Sequence, residues 1–383
     1  IELMPTLTKT GKISKMAKYG NTRVRLTDLE YEEITKKAVN GIYISVSRVE
    51  ENVFNLGSRK QIGEYLSKFG WVPKKFTPTG QPIVDEATLR DIEDIPQAQL
   101  IADFLMLQKR IAQITSWVEA SEEDNRVRGF VNHNGTITGR MTHRFPNMAQ
   151  IPSVTSPYGK ECRSCWTVKD RYKLLGIDAS GLELRMLAHY MDDKEFTNEI
   201  VNGDIHTTNQ ELAGLESRDQ AKTFIYALLY GAGDAKLGSV VGGSKTDGKK
   251  LRERFFSNLP SFVTLRNRVT REASNRGFIK GLDGRKIWIR SEHAALNSLL
   301  QSAGSIVMKK ALVLFDEAIQ RTYWKTHFVA NVHDEWQLEV RGDQAIKVGE
   351  LGVECIRRAG TAYELKCPLT GEYKIGDNWY ETH

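Results

Sequence analysis

The stretch LLGIDASGLELRMLAHYM (174–191) decides the reading of this chain, because its apolar start reads as a buried strand that delivers an acid, Asp178, at its end. A second stretch, VANVHDEWQLEV (329–340), repeats the device with Asp334. Two strands of one sheet ending on carboxylates would bring both acids together, which is the outline of a two-metal site. Between them lies RDQAKTFIYALLYGAG (218–233), a helix carrying Arg218, Lys222, Tyr226 and Tyr230 at four-residue spacing. Cations followed by aromatic rings suit a triphosphate followed by a base. Acids for magnesium and cations for triphosphate together point to nucleotidyl transfer.

The helix has its own punctuation. Ser217 and Gln220 form an S-x-x-Q capping box, so the helix starts at Arg218, and Gly231 supplies a stop. A triphosphate would then meet a helix N-terminus, whose free amides and partial positive charge add to Arg218 and Lys222. Residues 218, 222, 226 and 230 trace one slowly drifting stripe, while Ala221, Phe224, Ile225 and Leu228 make a separate apolar face. Without the flanking acid motifs, a solvated cationic stripe with two core tyrosines would explain the same pattern equally well.

These three segments resemble motifs A, B and C of the family A DNA polymerases, and DASGLELR, RDQAKTFIY and HDE are most similar to the bacteriophage T-seven type replicative branch. Further matches follow in order: GRMTHRFPNMAQIPS (139–153), GDIHT (203–207), GLDGRK (281–286) and HAALNSLLQSAG (293–304). The resemblance covers the chain from about residue 50 to its end. It implies a mixed α/β (α+β) right-hand polymerase fold with an antiparallel-sheet palm, helical fingers and a helical thumb. On that plan residues 51–130 form the thumb, 131–192 and 293–383 the two parts of the palm, and 193–292 the inserted fingers. Residues 1–50 read as an irregular basic remnant of a thumb insertion, apart from the strand-like alternation of VNGIYISVSRVE.

The resemblance also assigns roles. Asp178, Asp334 and the Ala179 carbonyl would hold two Mg2+ ions. Arg218 and Lys222 would bind the phosphates, with Lys222 also protonating the departing pyrophosphate. Tyr226 would meet the incoming sugar and favour dideoxynucleotides, Tyr230 would stack near the templating position, and Glu183 would exclude a ribose 2′-hydroxyl. Arg140, Asn297 and Gln301 match probes of the primer-template minor groove, where acceptors are placed alike for every correct pair. His333 matches a residue at the primer end, and His206 and Arg285 are candidates for phosphate contact. Glu335 is expected to support the site rather than hold metal, since neighbours on an extended strand face opposite sides unless a turn intervenes.

Bulk properties bound the remaining possibilities. The chain has 383 residues, a formal charge of +6 and a pI near 8.9. Its length allows more than one domain, and no run of eighteen apolar residues occurs. Lys9, Lys12, Lys15, Lys18, Arg23 and Arg25 face only Glu2 among acids before residue 26, which fits either a polyanion-binding arm or a solvated one. Cys162 and Cys165 form a C-x-x-C pair, but Cys355 and Cys367 are too far apart to complete a zinc ribbon, so free thiols in a reducing cytoplasm are expected. The start at Ile1 and the lack of room for an exonuclease domain imply the polymerase portion of a longer or divided polypeptide. The expected partners are primer-template DNA, dNTPs, an N-terminal fragment bearing the exonuclease and the rest of the thumb, and a thioredoxin-like processivity factor. Two competing readings are a single-subunit RNA polymerase, which has no use for Glu183 as a gate, and a catalytically silent nucleic-acid-binding subunit, against which the intact acids and cations argue.

Overall fold

In the computed structural model the two acid motifs meet in one four-stranded antiparallel sheet, although about 150 residues separate them in sequence. The structure describes residues 2–8, 10, 12–37, 45–47 and 53–383. The sheet order is Thr326–Val332, Glu335–Arg341, Tyr172–Ala179, Gly371–Gly376. Its second strand is buried along six of its seven residues, so both faces must be covered.

One face carries Leu175, Ile177, Trp336, Leu338 and Val340 into the main core, which the helices Ala295–Gln320 and Ala345–Ala362 complete. Phe315 of the first helix stacks on Trp336 with ring centroids 5.4 Å apart. The second helix approaches closely enough that a Cβ at Gly352 would lie 2.5 Å from Ile177 Cδ1. Its glycine is there for proximity. The opposite face carries Glu335, Gln337 and Glu339, all buried and all partnered. Glu339 is paired with Arg126 through contacts of 2.9 and 2.8 Å and with Lys169 at 3.4 Å, so no buried charge is left uncompensated there.

Between the sheet strands the chain from Lys194 to Arg276 is a run of helices. Each of three starts on a side-chain cap: Asp193, Asp204 and the predicted Ser217–Gln220 box, and a further box joins Ser244 and Asp247. Phe224, Phe255 and Phe262 pack edge to face at 5.6 and 5.7 Å and tie these helices together. A run of helices is thus inserted between strands of one antiparallel sheet. One helix, Glu292–Gln320, is long and apolar enough to cross a membrane by composition, but 61% of that window is buried, and it serves as the core helix of the sheet. All four cysteines are free thiols, with Cys165 exposed and the others buried.

Two compact units divide at Lys109 and Arg110, inside the helix Pro96–Glu119. The first unit corrects the irregular reading of residues 1–50. Its described residues form an antiparallel sheet, ordered Thr22–Arg25, Ile13–Tyr19, Glu2–Leu7, Val46–Ser47, beside the helix Asp28–Lys37. Leu3, Ala17, Leu26, Ile34 and Val46 make a small core. The turn Gly20–Asn21, with Gly20 at φ 55°, closes the Tyr19–Thr22 pair. Of the VNGIYISVSRVE segment only residues 45–47 are described; the rest lies outside the described residues. A second core in this unit joins the helix Arg59–Ser67 to Leu89, Ile92, Ile95, Ala98, Ile101 and Leu105.

Candidate active site

Asp178 is the penultimate residue of its strand, whereas Asp334 occupies the two-residue turn between Val332 and Glu335. The sequence reading put Asp334 on a strand end; it sits two residues past that end, on the turn. His333, its partner in the turn, has φ 62°. A main-chain bond from Ala179 N–H to the Asp334 carbonyl, 3.2 Å long, stitches the turn to the strand end. The two carboxylates are therefore held side by side by backbone, not by flexible side chains.

The strand register adds acids that local sequence does not announce. Glu335 and Glu372 pair directly with Asp178 from either side, which puts three carboxyls abreast. Like charges in that arrangement repel. Although Asp178 opens to solvent at its edge, burial by the surrounding protein, then Asp334, Glu335 and Glu372, push its carboxyl up to about 7. Burial raises Asp334 as well, opposed by its own main-chain amide, Arg140 and His333. Glu335 differs. Burial alone would raise it, but contacts with His383 at 2.7 Å, Gln337 at 2.6 Å and Trp379 at 2.6 Å outweigh burial and hold it below its ordinary value. Its oxygens are thereby taken up by Gln337 and by Trp379 and His383 of the C-terminal segment.

Glu183, the second residue of the helix Leu182–Met191, accepts the Tyr230 hydroxyl with both oxygens at 3.1 Å and faces Arg140 at 3.3 Å. Burial and the Glu183 charge push the Tyr230 phenol up to about 12. Tyr226 is raised by burial and then by Glu183, Asp334 and Asp178, so it shares the acidic environment. The helix itself ends at Leu229, with Tyr230 as its C-cap, and Gly231 follows at φ 75°. Arg140, Glu183, Tyr226, Tyr230, His333, Asp178 and Asp334 thus converge.

At the other end of this helix, Arg218 and Lys222 are exposed. His206 lies 6.5 Å from the Tyr226 ring, and burial, then Arg218 and Lys222, hold its imidazole below the usual value. Arg218 donates to Asp204 at 2.7 Å, a partner the sequence reading overlooked inside GDIHT.

The long helix supplies a last stripe. Ser305 and Lys309 bond the Gly139 carbonyl at 2.7 and 2.6 Å and so fix the segment before Arg140. Gln301 and Asn297 lie one and two four-residue steps before Ser305 on that helix and are half-buried. Arg285 is engaged by Asp283 at 2.8 Å and approaches Gly139. His143 reaches the Asn331 carbonyl at 2.8 Å, tying the Arg140 segment to the hairpin that bears Asp334. Among the described residues no group of three or more His, Cys, Asp or Glu side chains is arranged to hold a metal.

Comparison with known proteins agrees with this architecture. The family described as DNA polymerase family A matches residues 27–381. A DNA-directed DNA polymerase of Enterobacteria phage T3 is 44% identical over 88% of this chain and 53% of its own length. One of Escherichia phage T7 is 41% identical over 98% of this chain and 59% of its own length. The chain therefore spans a little over half the length of these curated relatives. Among solved structures, the POL domain of Pol1 from M. smegmatis, in complex with DNA primer-template and dNTP, shares the fold with a TM-score of 0.76 and 24% identity. That match covers 86% of this chain and 62% of the other.

Proposed function

The chain belongs to DNA polymerase family A, and on that premise we propose that it extends a DNA primer on a template, adding deoxynucleotides with release of pyrophosphate. The observation that carries this reading is the main-chain bond between Ala179 and Asp334, which fixes two ionisation-resistant carboxylates together beside a helix of phosphate-binding cations.

Crowded acids whose protonated forms are favoured are a donor set that calls for a cation. Asp178, Asp334 and the Ala179 carbonyl would hold magnesium, which when bound activates the primer hydroxyl and neutralises charge on the reacting phosphate. The rest is the work of the chain's own side chains. Arg218 and Lys222, at a capped helix start, bind the phosphates, and Lys222 delivers a proton to the leaving pyrophosphate. Tyr226 contacts the sugar, while Glu183, locked by Tyr230 and Arg140, presents a fixed carboxylate where a 2′-hydroxyl would need space. Tyr230 stacks near the templating base. Arg140, Asn297 and Gln301 test pair geometry from the minor groove, His333 touches the primer end, and Arg285 and His206 serve phosphates. The partners proposed are primer-template DNA, dNTPs, an N-terminal exonuclease and thumb segment, and a thioredoxin-like processivity factor.

A primer-extension assay with magnesium and four dNTPs tests the reading. Template-dependent elongation is expected. Binding of primer-template without elongation would leave only a nucleic-acid-binding role and overturn the proposal.

A further inference from the structure

Arg218 is the first cation of the substrate helix, yet its guanidinium is already engaged. Its Nε donates to Asp204 Oδ2 at 2.7 Å. Asp204 is itself anchored, as the N-cap of the helix Ile205–Ala213. Its Oδ1 accepts the His206 amide at 3.1 Å, and Oδ2 also accepts the Thr207 hydroxyl at 3.0 Å. The carboxylate is thus a fixed acceptor rather than a wandering surface acid. The groups acting on it are Arg218, Thr207 and the His206 amide, while Lys222 acts on His206 and Asp219 on Arg218.

We propose that Asp204 is a positioning residue that competes with phosphate for Arg218, so that nucleotide and pyrophosphate alike must displace it and both bind the substrate helix more weakly than a free Arg218 would allow. The proposal rests on reading this helix as the triphosphate site. Arg218 and Asp204 are 53% and 44% exposed, so the pair is weak enough for a charged ligand to displace. A planar guanidinium offers a fork of donors, and the edge that includes Nε is consumed while Asp204 holds it. A phosphate must then either accept the remaining donors or expel Asp204. Nucleotide and pyrophosphate face the same exchange, so the latch lowers the affinity for both by a similar factor and eases release of the product. For an exposed pair the competition amounts to roughly a two- to five-fold change in anion affinity.

Asp204→Asn tests this cleanly, because asparagine caps a helix about as well as aspartate but carries no charge. Asp204→Ser, which also caps, serves as the second variant if the first folds poorly. Pyrophosphate affinity, measured by calorimetric titration of the intact chain, should tighten roughly two- to five-fold. The dNTP KM should fall in parallel while kcat changes less than about two-fold, and the melting temperature should hold. In an Arg218→Ala background the same Asp204 substitution should change pyrophosphate affinity not at all. Unchanged or weakened pyrophosphate binding in the single variant would overturn the latch, and so would an equal tightening in both backgrounds, which would mark a general field effect. If the wild-type chain extends no primer, the polymerase reading fails, while the pyrophosphate titration still decides the latch.

Discussion

The two ends of the site are built by different means. Asp178 near its strand end and Asp334 on the adjoining turn are joined through a main-chain bond beside the buried strand Glu335–Arg341, so they are placed by the core. The cations sit on the exposed, capped start of their helix, where Arg218 is held by one half-exposed ion pair. A rigid end and an adjustable end suit a reaction in which one half of the site must wait for a substrate that changes at every cycle. Glu183 bridges them, since it lies just after the Asp178 strand yet bonds Tyr230 at the far end of the cation helix.

The comparison breaks most visibly at the rigid end. Asp178→Ala or Asp334→Ala should lower extension on the order of 10³-fold or more while leaving primer-template affinity largely intact, because duplex binding comes mainly from phosphate contacts. Filter binding alongside extension tests this, and near wild-type extension by either variant would remove the acids from the chemistry. Lys222→Ala should cost roughly 10²-fold, within the range for loss of a general acid, with part of the loss recovered on nucleotides bearing a better leaving group. Equal losses on both nucleotide types would assign Lys222 to binding alone.

At the bridge the effects are smaller and concern selection. Glu183→Ala should relax exclusion of ribonucleotides and Tyr226→Phe should reduce dideoxynucleotide use, each by about ten-fold, a size typical of single contacts in a pocket. Competition assays with paired nucleotides read both ratios. If neither moves, the sugar does not lie between these side chains.

The smallest effect is on stability. With Asp178 near 7 in the folded chain and about 4 when unfolded, the folded state binds the extra proton between those values. Without metal, stability should therefore decline as pH rises from about 4 to about 7 and level off above. The melting temperature should drop by a few degrees at most across that window, magnesium should recover it at pH 8, and Asp178→Asn should remove the slope. A slope identical in wild type and variant would show that crowding around Asp178 does not govern it.

Legibility followed the range of the interactions. The strand at 174–178, the Ser217–Gln220 box, the Gly231 stop and the apolar face of Ala221, Phe224, Ile225 and Leu228 were readable because each depends on neighbours within a few residues. The N-terminal sheet was missed even though Gly20–Asn21 is a hairpin signal, because its strands are short and bury a core of only five residues.

By itself the sequence determined which side chains could do the chemistry and which local elements carry them, since capping, periodicity and turn formation are local. Only the tertiary structure decided that Glu335 and Glu372 flank Asp178, that Asp334 rides a turn tied to Ala179, and that Arg218 is held by Asp204. Those facts depend on strand register and helix packing between segments far apart in the chain, and a one-residue slip of register would turn each strand's side chains to the other face.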